Sequence, residues 1–348
     1  MPSIKEGHYS VVVIPQEAWE NIIKTLDELK DKVLNGYKVT KEDAMNLIDV
    51  PLEDLTSAAN EIRKSFCGNK FDACMLINVK SGRCSENCKF CAQSNHYDTD
   101  IETYPLLSKD ELKERSLAIY NSGFKRISYV ASGRKVTQKD FEIMSELIEE
   151  LKEENSDIKI CVSLGLLTKD QISTLNEVGV DRIHNNLESS RNYFKEICTT
   201  HSYDEKLDTI EMIHDENVMI CSGGIFGMGE NFEDRIDLAL QLREFGVKSI
   251  PINVLNPIKG TPVENNEILS NDEACRIIAI FRFINPDAFI RMAGGRALLG
   301  DNGRKAFESG ANAGILGNML TTQGVELDND LKLLEELGFE ITYSIDGL

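Results

Sequence analysis

Long apolar runs are missing from this sequence. The run near the start, Val11 to Ile14, stops at Pro15 and is too short for a signal-peptide core or a membrane span. The chain is therefore expected to be cytoplasmic, with no membrane partner. Basic residues are also scarce: 38 Lys and Arg stand against 58 Asp and Glu, a net charge of 38 − 58 = −20. A surface of that sign repels phosphate backbones and anionic headgroups, which argues against nucleic acid as a partner. There is no long linker, no low-complexity tract and no helical-repeat period. A disulfide framework is not indicated either. The nine cysteines are odd in number, and three of them crowd into eight positions, so reduced thiols are expected.

What the sequence does have is a rhythm. Residues 1–70 read as a charged, helical extension, with a short strand at Val11–Ile14 and an amphipathic segment WENIIKTLDELKDKVL. From residue 71 short apolar runs alternate with helical stretches. The runs are DACMLIN, RISYVA, IKICVSL, VDRIHNN, VMICSGG, KSIPINVL, AFIRMAG and NAGILGN. Ser108 reads as an N-cap and Gly123 as the stop of one helix, and Thr137 with Asp140 marks the start of the next. Further helices are expected over 168–178, 204–216, 230–245 and 270–284, and DLKLLEELGFEI as a closing helix and strand. Eight strands, most followed by a helix, predict an α/β fold of the (β/α)8 TIM-barrel type over 71–348, in preference to a doubly wound open sheet.

SGRCSENCKFCAQS follows the first expected strand directly, so Cys84, Cys88 and Cys91 would lie at the barrel mouth where such enzymes keep their chemistry. Zinc in a structural site asks for four closed ligands, and only His96 stands near as a fourth. Three thiolates with one open position suit an iron–sulfur cluster of the 4Fe–4S type. The alternatives are a zinc knuckle or inert buried thiols.

A second set emerges from strand parity. Cys74, Cys161, Cys221 and Arg291 fall near the middle of the first, third, fifth and seventh expected strands. Alternate strands of a barrel share one layer of inward side chains, so all four would meet at one interior point. An inward arginine needs a counter-charge, which thiolates and sulfides would supply. The plain alternative is three small core cysteines and an arginine turned outward.

The spacing C-x3-C-x2-C with Phe90 before the last cysteine resembles the signature of radical S-adenosylmethionine (SAM) enzymes. The resemblance implies that SAM chelates the open iron and is cleaved to a 5′-deoxyadenosyl radical. Gly223, Ile225, Gly227 and Glu230 in SGGIFGMGE match the pattern that packs backbone on the adenine. Asn186 and Glu188 in HNNLESS look like the polar pair that holds the ribose.

The order of SGRCSENCKFCAQS, ICVSLGLL, HNNLESS, ICTTHSYDEKLDTI, ICSGGIFGMGE, PINVLNPIKGTPV, FIRMAGGR and NMLTTQG, spanning about residue 50 to the end, is similar to the biotin synthase family. That family inserts sulfur from an auxiliary cluster between C6 and C9 of dethiobiotin. Cys161, Cys221 and Arg291 fall on three of the auxiliary ligand positions of its best-known branch. The second-strand cysteine of that branch is Ser128 here, so Cys74 is expected to replace it, with Cys198 as a further partner and a cluster of uncertain composition. Asn253 is expected on the ureido ring, and Thr321 and Thr322 on the carboxylate. The implied partners are dethiobiotin, a flavodoxin or ferredoxin donor, an iron–sulfur assembly or repair protein and a second copy in a homodimer. Cys67 and Cys275 carry no cluster signal and read as packing residues. Two rival functions stay open: another radical SAM enzyme without sulfur insertion, and a non-catalytic iron–sulfur redox sensor.

Overall fold

The computed structural model describes residues 16–343. The strand expected at Val11–Ile14 lies outside them. Three helices come first: α1 (Gln16–Leu34), α2 (Lys41–Asn46) and α3 (Leu52–Cys67). A parallel barrel and its helices follow. They run β1 (Lys70–Lys80), α4 (Lys109–Asn121), β2 (Arg126–Ala131), α5 (Gln138–Glu154), β3 (Lys159–Ser163), α6 (Lys169–Glu177), β4 (Arg182–His184), α7 (Arg191–Ile197), α8 (Tyr203–Asp215), β5 (Met219–Cys221) and β6 (Gly224–Phe226). The circuit continues through α9 (Phe232–Glu244), β7 (Ser249–Val254), α10 (Asn271–Ile284), β8 (Phe289–Met292), α11 (Arg304–Glu308) and β9 (Ala313–Leu316). After it come α12 (Leu327–Glu336) and β10 (Glu340–Thr342).

The pairings between these strands are all parallel, and β9 pairs back onto β1, which closes the barrel. All eight expected strands are present. The fifth is broken into β5 and β6 at Ser222–Gly223, because β7 crosses too closely there: a Cβ on Gly223 would stand 2.0 Å from the Pro251 carbonyl. The helix starts follow local chemistry. Ser108 and Thr137 accept from the backbone N–H of Glu111 and Asp140, satisfying donors that the first turn leaves free. Gly123 takes φ 96°, the left-handed turn that stops α4. The short helix α7 is not among the expected elements; its seven residues carry too little periodicity to read. The tail forms α12 and β10 as expected, and β10 adds a parallel partner at the start of β1.

The helices before the barrel share its core. Leu26, Leu29 and Val33 of α1 and Leu55, Ala59 and Ile62 of α3 join the same buried apolar cluster as the barrel helices, with α3 packed along α10 and α2 along α9. Cys67 and Cys275 are buried in this helical layer, as packing residues should be. Among the described residues no helix is long and apolar enough to cross a membrane. Truncating the fully buried Leu55 to alanine should cost about 2–5 kcal/mol. Urea unfolding should show that loss in a single transition of the whole chain; an unchanged barrel transition would mean that the first helices fold apart from it.

Candidate cluster and substrate cavity

The interior is set by the alternation of side chains along each strand. On β1 the even residues Asp72, Cys74 and Leu76 point inward, and β2 sends in Arg126 and Ser128, β3 Cys161, β4 Arg182 and His184, and β8 Arg291. Residues nearest the strand starts form the floor. Asp72, 1% exposed, accepts from Arg126 Nε at 2.9 Å and Arg182 Nη1 at 2.9 Å, and pairs with Arg291 Nη2. Burial alone would push the Asp72 carboxyl up, but the three guanidiniums outweigh it and hold it well below the usual carboxylate range. This corrects the expectation for Arg291. It does point inward, but its first counter-charge is Asp72, two residues before Cys74, and its Nη1 donates to the Asp72 and Gly314 carbonyls at 3.0 and 3.1 Å.

One layer above lie the inner thiols. Cys74, Cys161 and Cys221 are all buried and all line one cavity of about 420 Å³ together with Arg291 and Ser128. Cys74 Sγ donates to the Met75 carbonyl at 3.8 Å and Arg126 Nη1 donates to Cys161 Sγ at 3.7 Å; the neighbouring Cys74 and Arg126 hold the Cys161 thiol down, while Cys161 and burial push that of Cys74 up. Cys221 Sγ accepts from Ser249 Oγ at 3.3 Å and stands 3.3 Å from His184 Nδ1. Burial pushes His184 down to about 4, so its imidazole is neutral and free to act as a donor to a metal. No motif in the sequence singles out His184, Arg126, Arg182 or Asp72.

These residues fit an iron–sulfur centre on their own chemistry. Three guanidiniums against one carboxylate leave 3 − 1 = 2 positive charges in a buried floor, and among the described residues Arg182 Nη2 has no hydrogen-bond partner. Buried charge of that size needs anions nearby. Thiolates and bridging sulfides are anions of the right softness for iron.

At the mouth, the loop after β1 brings Cys84, Cys88 and Cys91 half-buried onto the rim of the same cavity, with Phe90 beside them. The loop is tied to itself by Cys84 N–H to the Gln93 carbonyl at 2.9 Å and Asn95 N–H to the Cys84 carbonyl at 2.8 Å. It is tied to the segment after α7 by Lys89 N–H to the Ile197 carbonyl at 2.9 Å and by Asn87, which donates to Thr199 Oγ1 at 2.6 Å and accepts from Thr199 N–H at 2.9 Å. His96, the nearest fourth zinc ligand in the sequence, is turned to the Ser85 carbonyl instead.

Cys198 belongs to this rim and not to the inner set, a second correction. As the extended residue that ends α7 it turns toward the cysteine loop, 3.7 Å from Cys88 Sγ and 3.2 Å from His201 Nδ1, and it does not line the main cavity.

The remaining predicted positions divide. Asn186, Glu188 and Ile225 line the cavity. Asn186 accepts from Gly223 N–H at 2.8 Å and donates to Glu188 Oε2 at 3.0 Å, while Glu188 takes the rare φ of 69°. A non-glycine residue in that region is held there by its surroundings; the Ile225 N–H to Glu188 carbonyl bond at 2.9 Å is part of what holds it. Gly227 and Glu230 do not face the cavity: Glu230 accepts from the Gly227 and Met228 N–H groups at 2.9 and 2.8 Å and from Arg235 Nε at 2.8 Å, shaping the loop from behind. Asn253 lines the cavity and bridges Gly224 and Gly294 with both ends of its amide. Thr321 and Thr322 also line the cavity.

Known proteins share both the sequence and the fold. The model of the radical SAM superfamily matches residues 78–242, and that of the biotin and thiamin synthesis associated domain matches residues 251–340. The chain is 53% identical over 322 residues to biotin synthase of Brachyspira hyodysenteriae, covering 92% of this chain and 96% of that one. It is 51% identical over 321 residues to that of Clostridium botulinum strain Langeland, covering 92% and 99%. Among solved structures, methylornithine synthase superposes with a TM-score of 0.78 at 21% identity over 90% of this chain and 97% of that one, a likeness of fold.

Removing the floor carboxylate as Asp72→Ala strands three guanidiniums and should cost about 3–5 kcal/mol. The folded carboxyl is depressed, so its contribution is present above the unfolded value of about 3.9 and is lost as pH falls through the lower folded value. Denaturation across pH should show the gap between wild type and Asp72→Ala closing in acid; a constant gap would mean that Asp72 acts by packing and not by charge.

Proposed function

The chain belongs to the biotin synthase family of radical SAM enzymes, and from that premise we propose how its own residues share the reaction. It is a sulfurtransferase that acts on dethiobiotin and draws on an electron donor. When bound, the 4Fe–4S cluster with SAM supplies a 5′-deoxyadenosyl radical, and an auxiliary cluster supplies the sulfur. Cys84, Cys88 and Cys91 hold the first on the rim. Ile225 packs on the adenine, and Asn186 with Glu188 takes the ribose hydroxyls. Gly223, Gly227 and Glu230 act by shaping that wall. Cys74, Cys161, Cys221 and Arg291 hold the second in the layer above the floor, with His184 as a neutral donor in reach of the Cys221 side. Ser128 faces the same space and leaves its place on β2 without a soft ligand.

Between the two layers the substrate is gripped at both ends. Asn253 has an amide N–H and a lone pair to spare for a ureido ring, and Thr321 and Thr322 offer hydroxyls to a carboxylate. A flavodoxin or ferredoxin donor, an iron–sulfur assembly partner, a homodimer and a cytoplasmic setting complete the reading.

The observation that carries it is two groups of three thiols at two depths of one cavity, the deeper set above an excess of guanidinium charge. After anaerobic reconstitution, Cys74→Ser should carry less iron and sulfide per chain while the rim cluster keeps its electron paramagnetic resonance signal. Unchanged iron and sulfide would remove Cys74 from the ligand set. With SAM, a strong reductant and dethiobiotin, the wild type should release 5′-deoxyadenosine and biotin together. Release of the nucleoside without biotin would point to a radical enzyme that inserts no sulfur, and no substrate-dependent release to a redox sensor.

A further inference from the structure

The segment after α7 carries donors that the reaction above does not use. We propose that Cys88, Cys198 and His201 form a mononuclear site for a borderline divalent ion (Zn²⁺, Co²⁺ or Fe²⁺) that can be filled only while the rim cluster is absent.

The geometry is already that of a metal site. One donor atom from each residue lies within 4.8 Å of the others. The two sulfurs are 3.7 Å apart; the edge of a tetrahedron with metal–sulfur bonds of about 2.3 Å is roughly 3.8 Å. The His201 nitrogens stand 3.2 and 3.9 Å from Cys198 Sγ. The ring is held in place from outside: Nδ1 meets Glu86 Oε2 at 2.5 Å, Phe194 packs edge-on at 5.5 Å, and Glu86 is itself held by Thr200 Oγ1 at 2.8 Å. That leaves Nε2 for an ion, in the carboxylate–histidine–metal arrangement by which outer partners orient a ligand. Two sulfurs and one imidazole select zinc, cobalt or ferrous iron over magnesium or calcium. A small side cavity of about 160 Å³ reaches Cys88, Glu86 and His201 and gives a fourth ligand such as water its place.

Cys88 is shared with the rim cluster. An ion seated here leaves the loop one thiolate short, so it blocks cluster loading until it is withdrawn. This exclusion rests on the rim assignment of Cys88; the ion site itself does not. The site thus makes the chain sensitive to zinc during maturation.

The test uses the full chain freed of iron by a chelator, kept anaerobic with a phosphine reductant, and titrated with Co²⁺ alone. Wild type should bind one ion per chain more than Cys198→Ala binds, and that ion should bring thiolate-to-cobalt charge-transfer and tetrahedral ligand-field bands. Those bands, taken as the difference from Cys198→Ala, should persist in a Cys84→Ser/Cys91→Ser double variant and be lost in His201→Ala. Glu86→Gln should weaken binding about 10- to 100-fold. Cys198→Ser, of nearly the same volume, guards against simple misfolding: it should keep the native circular dichroism and lose the charge-transfer intensity. Loss of the bands in the double variant with retention in Cys198→Ala would put the ion on the cysteine loop and overturn the proposal, as would the absence of a tetrahedral spectrum. Prior Zn²⁺ should also suppress the iron–sulfur chromophore on reconstitution of wild type and not of Cys198→Ala. Equal suppression in both would overturn the exclusion. None of these readouts needs biotin formation, so they fail independently of the functional reading.

Discussion

The interior depends on one carboxylate. Asp72 sits at the start of the first strand and faces arginines from the second, fourth and seventh strands of the barrel. Such a group is costly to bury, and it persists only where geometry and pairing are good. Here it ties together strands that are far apart in the chain, Asp72 to Arg182 and Arg291 across the barrel, and so fixes the register in which they close. The same floor is short of negative charge. That shortage is what makes the layer above it, three buried thiols and a neutral histidine, a fit place for an anionic sulfide-bearing centre.

The rim is built on a different principle. Its ties are many and individually weak. The cysteine loop is laced by backbone and amide hydrogen bonds to the Thr199–Thr200 segment, and the facing wall is held by Asn186, Glu188 and Glu230 acting on neighbouring N–H groups. Each bond is modest, about 1 kcal/mol net, but together they leave the loop little freedom. The donors of Cys198 and His201 lie on the rim, at the seam between the cysteine loop and the segment after α7, where the lacing itself places a second sulfur beside Cys88.

Much of this is legible in the order of residues. Strand parity places Cys74, Cys161, Cys221 and Arg291 around one cavity, because alternation along a strand is a rule of the pleat and needs no tertiary information. The same rule, carried two residues back from Cys74, reaches Asp72, and carried two back from Ser128 it reaches Arg126. The signal is present there, but a charged residue at a strand start reads equally well as surface. Cys198 is misplaced by sequence reasoning for the opposite reason. It lies outside any strand, so parity says nothing of it; its direction is set by the way α7 ends. Glu230 matches a motif for ligand contact, yet it works from behind the loop, since a motif records which residues recur and not which way they face.

Local periodicity and spacing, which act over a few residues, are enough to specify the alternation of strand and helix, the eight barrel strands, the three-thiol loop at the mouth and the convergence of the odd-strand residues. They do not specify which charge answers Arg291, that His184 reaches Cys221, or that Cys198 meets Cys88 across 110 positions of chain. Those outcomes depend on distances between segments remote in sequence, and such distances exist only once the barrel has closed.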